Sequence, residues 1–162
     1  MKKLFFLTSF FLLLLTAKKS TAQLFSLSVN YTSSEKSRDS HSTIETFSLV
    51  GQNLSYTVKY SGRKGPDQKD EEKKCVLTVE QVNKILTTLQ ERKLNVPDSL
   101  IGSSFNHEAP YTFETISIAA TKGNKISKIR ISGTYPQLAN KTLYTNSLYL
   151  IAVISKMLKT CS

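Results

Sequence analysis

The chain is short of the residues that usually carry chemistry. It has two histidines, His41 and His107. His107-Glu108 begins like the helix of a zinc protease, but Tyr111 stands where the second histidine belongs, and Pro110 opposes a helix there. Serines are plentiful, yet no Gly-x-Ser-x-Gly elbow exposes one as a nucleophile. Glycine-rich phosphate loops, clusters of metal ligands and the aromatic-basic pattern of RNA-binding modules are missing as well. No catalytic residue, metal ligand or cofactor site can therefore be assigned.

Cysteine is equally scarce. Cys75 and Cys161 are too few for a thiolate-rich metal site, and an even pair in an exported chain predicts a disulfide. Such a bond closes most of the second half of the chain, which on loop entropy is worth about 4 to 5 kcal/mol at most.

Long apolar runs are limited to one. Leu4 to Ala17 covers 14 residues, whereas a helix needs about 20 to cross hydrocarbon. Lys2-Lys3 precede this run and Ser20-Thr21-Ala22 follow it. The pattern predicts a cleaved signal peptide over residues 1–22, with the cut after Ala22, and a secreted or periplasmic product. Lys18 and Lys19, lying between run and cut, leave an uncleaved anchor as the alternative. Residues 23–162 then form a single domain, large enough for a real core and without a transmembrane span.

Charge of one sign is in moderate excess. Four of the 22 basic residues leave with the signal, so against 12 acidic ones the mature charge is +6 rather than +10. The excess is spread along the chain. Gly62 to Lys74 holds no apolar side chain and nearly balanced charge, which predicts an exposed loop and argues against a nucleic-acid arm.

Two similar phrases are present. Glu45-Thr46-Phe47-Ser48-Leu49 returns as Glu114-Thr115-Ile116-Ser117-Ile118, and Lys59-Tyr60-Ser61-Gly62 returns as Arg130-Ile131-Ser132-Gly133. A turn residue set, Gly51-Gln52-Asn53 or Lys122-Gly123-Asn124, separates the two phrases of each copy. Each copy precedes an apolar helical stretch. The first of these helices starts at Thr78, where Gln81 completes a capping box and Leu77 and Val82 can form the hydrophobic staple; Asn95, Pro97 and Asp98 are expected to end it. The last helix runs from about Asn140 to Thr160, with Tyr144, Leu148, Ile151, Ile154 and Leu158 at helical spacing.

Together these features predict an α+β fold: a tandem strand-strand-helix repeat over 44–94 and 111–160, forming a two-layer domain. A four- to five-stranded antiparallel sheet carries both helices on one face. Leu24 to Tyr31 alternates with period two and supplies the fifth strand. Thr32 to Ser42 and Leu100 to Pro110 read as loops. Pairing Cys75 with Cys161 then requires antiparallel helices.

The opposite sheet face is polar and basic, with Ser48, Thr57, Lys59, Thr115, Ser117, Lys128 and Arg130 as its candidate binding residues. In layout, two such units in a disulfide-closed exported chain resemble the tandem-repeat β-lactamase inhibitor proteins. No inhibitor motif transfers residue by residue, and the resemblance implies only a binding role. The leading expectation is a non-enzymatic module that binds an exported protein or an anionic glycan. A small secreted hydrolase using Glu45 and Glu114, or His107, is the alternative, since paired carboxylates that converge across a cleft can cleave glycosides. A structural accessory of the cell envelope is the third.

Overall fold

The computed structural model describes residues 25–36, 41–62, 69–96, 99–102, 111–134 and 140–161. The expected signal peptide, its cleavage point and His107 lie outside them. In chain order the elements are β1 (Phe25–Lys36), β2 (His41–Val50), β3 (Asn53–Gly62), β4 (Glu71–Val76), α1 (Val79–Glu91), β5 (Ser99–Gly102), β6 (Tyr111–Lys122), β7 (Lys125–Gly133) and α2 (Lys141–Thr160).

The strands form one sheet in the order β4-β3-β2-β1-β6-β7-β5. Six of them are antiparallel to their neighbours, and the short β5 runs parallel to β7 at the edge. The α+β class and antiparallel sheet thus agree with the sequence pattern, but the expected count of four to five strands is too low. β4 arises from the charged stretch read as loop: it is exposed along most of its length and held by backbone pairing to β3. An edge strand buries little, so it leaves almost no hydrophobic signal. β5 likewise takes the start of the stretch beginning at Leu100. Similarly, β1 and β2 extend through most of Thr32 to Ser42, as far as the pair Glu35 and His41.

β1 lies in the middle rather than at the side, paired along its length with β2 and β6. Its clean alternation turns one face to the core. Phe25, Leu27 and Val29 are buried on one face, and the residues between them occupy the other. The same phase runs through Phe47 and Leu49, Leu54 and Val58, Ile116 and Ile118, and Ile129 and Ile131, all buried. Both helices close over that face, and their buried residues join these strands in a single core.

The hairpins β2–β3 and β6–β7 flank β1, yet the strand pairing does not reproduce the tandem repeat. Val58 opposes Glu45, whereas its counterpart Ile129 opposes Ile118, the counterpart of Leu49. The slip between the copies is even, so every side chain keeps its face. In addition, β4 stands between β3 and α1, giving the first unit a third strand.

The helices run antiparallel. Cys75 and Cys161 form a disulfide with Cα atoms 5.9 Å apart, bringing the approach to α1 beside the end of α2. At the opposite ends, Asn146 Nδ2 donates to the Arg92 carbonyl at 3.1 Å, and the Arg92 guanidinium lies 4.0 Å over the Tyr149 ring. The Thr78 capping box forms with both bonds. α1 stops earlier than Pro97 would dictate. Leu94 N–H donates to Leu89 O and Lys93 N–H to Gln90 O, a Schellman closure in which Lys93 has φ 53°. Leu94, beyond the turn, is buried. The burial of this leucine fastens the turn even though a lysine occupies the position where glycine is usual.

Candidate functional site

On the sheet face away from the helices, the register aligns the side chains in rows. One row reads Thr57, Thr46, Asn30, Ser117 and Arg130 across β3, β2, β1, β6 and β7. The next reads Lys74, Ser55, Ser48, Ser28, Ala119 and Lys128. On the other side of the first lies Lys59, Ile44, Thr32, Thr115 and Ser132. All seven residues singled out from the sequence therefore share one face. Ser48, Thr57, Thr115 and Ser117 are half-buried among their neighbours, while Lys59, Lys128 and Arg130 are exposed.

The charge on this face is arranged by strand. Apart from Ile44 and Ala119, central β1, β2 and β6 present hydroxyls and amides along these rows, and the cations stand on β3, β4 and β7. Four strand spacings separate β3 from β7, or about 19 Å. None of Lys59, Lys128 and Arg130 makes an ion pair among the described residues, whereas Lys74 Nζ reaches Glu72 Oε1 at 2.7 Å. The hydroxyls in part satisfy one another: Thr46 Oγ1 donates to Asn30 Oδ1 at 2.9 Å, and Thr115 Oγ1 to Ser132 Oγ at 3.3 Å.

Aliphatic side chains interrupt this surface. Ile44 is 39 % exposed, Val50 58 % and Val76 69 %. Val50 and Val76 border a depression of about 410 Å³ that also touches Ser48, Ser55 and Lys74. Sequence reading places Thr46 and Ser55 on this face as well, but missed Asn30 and Lys74. Asn30 carried the signal, since it lies on the outward phase of β1. What was hidden was the central place of β1, which depends on pairing between distant segments.

Glu45 and Glu114 sit on the other face, toward the helices. Glu45 is opposite Tyr31 on one side of β1, and Glu114 is opposite Ser33 on the other. That places their Cα atoms roughly 12 Å apart. Tyrosines occupy the space around them. The Tyr31 and Tyr144 hydroxyls donate to the two oxygens of Glu114, and the Tyr56 hydroxyl donates to Glu45 Oε2 at 3.1 Å. Burial pushes the Tyr31 phenol well above the ordinary tyrosine range, and the hydrogen bond and charge of Glu114 add to this. Tyr56 shifts the same way, through burial first and then the charge and hydrogen bond of Glu45. The phenols remain donors and the carboxylates acceptors, so Glu114 ties β1 and β6 to the first turn of α2, and Glu45 ties β2 to β3. His41 begins β2, where its Nε2 lies 3.2 Å from Glu35 Oε2.

No family model matches the chain, and no curated protein matches it either. Functional assignment therefore rests on the geometry. Among the described residues no helix is long and apolar enough to cross a membrane, and the disulfide fits an oxidising compartment.

Proposed function

We propose that this chain is a non-enzymatic binding module, exported by its N-terminal signal, that docks an acidic protein surface on the open face of its sheet. The observation that carries this reading is the placement of Lys59, Lys128 and Arg130, none of them ion-paired among the described residues, on two flanks of one hydroxyl-lined surface. Cations without carboxylate partners favour an acidic ligand and speed its approach. A protein is favoured over a glycan because Ile44, Val50 and Val76 are aliphatic and exposed on the same face. Aliphatic contacts suit the apolar centre of a protein interface.

The test is capture from the exported fraction of the producing cell, with the wild-type chain and with the combined variant Lys59→Glu, Lys128→Glu and Arg130→Glu as baits. An acidic protein retained by the first bait and lost from the second is the expected result. Equal retention by both removes the reading, and retention only of a uronate or sulfated polysaccharide replaces the protein partner by a glycan.

A further inference from the structure

A second site lies on the covered side, at the far end of the β6–β7 hairpin. There the C-terminal half of α1 and the hairpin tip enclose a groove of about 650 Å³, within the range of small-molecule sites. Its floor is apolar: Phe25, Leu89 and Ala120 are buried, and Leu86 is half-buried beside them. Ile126, 63 % exposed, adds an apolar edge.

Two cations stand at the mouth. Lys122 and Lys125 line the groove and are cross-strand partners at the closing pair of the hairpin. Their direction follows from the strand period. Lys122 is two residues beyond buried Ala120, and Lys125 is two before Ser127, the partner of Ala120, so both belong to the helix-facing phase. Like charges directly opposite one another oppose pairing. Neither lysine has an ion-pair partner among the described residues. The turn between them has no need of lysines, since Gly123, at φ +58°, supplies the reversal.

We infer that this groove binds a single-chain anionic amphiphile, a free fatty acid, with its carboxylate held between Lys122 and Lys125 and its alkyl chain along Phe25, Leu86 and Leu89. An anion there relieves the repulsion between the lysines, while the apolar floor removes the chain from water. The amides of Gln90, Asn95 and Asn124 also line the groove and can hydrogen-bond the headgroup. This site is separate from the open face and does not depend on it.

The experiment titrates the purified chain with sodium laurate below its micelle concentration, following heat and amide chemical shifts, beside dodecanol and dodecyltrimethylammonium. Saturable one-to-one binding of laurate is expected, with shifts at Leu86, Leu89 and Gly123 and at least tenfold weaker binding of the cationic amphiphile. Lys122→Gln with Lys125→Gln, at exposed positions where folding is preserved, should weaken laurate at least tenfold and bring it level with dodecanol. The combined variant at Lys59, Lys128 and Arg130 should bind laurate like the wild type. Absence of saturable binding, shifts confined to other residues, or equal affinity in the Lys122 and Lys125 variant would each overturn the inference.

Discussion

The two faces of the sheet share the same strands and the same backbone bonds, yet they do different work. On the covered face, side chains from five strands and both helices form one dry core, and its polar groups are matched internally: Glu114 by two tyrosines, Glu45 by Tyr56, and buried Ser147 by the Leu143 carbonyl. On the open face, hydroxyls meet one another or solvent, and Lys59, Lys128 and Arg130 make no ion pair among the described residues. Stability accordingly resides mainly on one side, and the other is the face on which we propose that a partner docks.

That contrast can be broken experimentally. The largest loss is expected on the covered side from replacing Cys75 and Cys161 by Ser. The bond spans 86 residues of sequence, and freeing a loop of that length should lower stability by about 4 to 5 kcal/mol at most, measured by urea unfolding with and without reductant. Next comes Phe47→Ala. Phe47 is buried with its ring centroid 4.7 Å from that of Tyr56, and its truncation should cost about 3 to 5 kcal/mol.

A smaller effect separates the two glutamates. Glu114→Ala strands two tyrosine hydroxyls and should cost about 2 to 3 kcal/mol, against about 1 to 2 kcal/mol for Glu45→Ala, which strands one. The same cluster sets an alkaline limit. Folded Tyr31 and Tyr56 hold their protons more tightly than an unfolded phenol. Their contribution is therefore fully present below about pH 10, the ordinary tyrosine value, and is lost as pH rises beyond it. Unfolding midpoints recorded from pH 8 to 11 should fall above that point, and a flat profile would show that these phenols titrate normally.

Lys93→Gly should raise stability by about 1 kcal/mol, because glycine adopts the left-handed conformation of the α1 terminus without the penalty that lysine carries. Smallest of all, Thr57→Ala and Ser117→Ala on the open face should each stay within about 0.5 kcal/mol of wild type. A loss above that from either would mean that the hydroxyl rows support the fold, and the contrast between the faces would have to be redrawn.

Much of the covered face is legible in the sequence. Phe25, Leu27 and Val29 alternate, Thr78 and Gln81 announce the start of α1, and the two cysteines pair as their even count predicts. Side-chain direction in a strand repeats every two residues, so the face of Phe47 or Ile118 can be read without knowing what lies opposite. That is why the face assignments survive although the repeat does not: the pairing of the two hairpins differs by an even number of residues. β4 is hidden because Glu71 to Lys74 bury almost nothing, and an edge strand is held chiefly by backbone bonds that leave no mark in side-chain pattern. The role of Glu45 and Glu114 is obscured for a related reason. Their inward phase is plain, but Tyr144 comes from a helix 30 residues away and Tyr31 from a strand earlier still.

Local order along the chain thus settles periodicity, helix entry, the inward and outward sides of each strand and the cysteine pair, because each depends on neighbours a few residues apart or on a residue type present only twice. The central position of β1, the rows that gather Lys59, Lys128 and Arg130 on one surface, and the groove beneath Lys122 and Lys125 depend on which distant segments exchange backbone hydrogen bonds. Such pairing is chosen by the burial of the whole core at once, and no single stretch contains it.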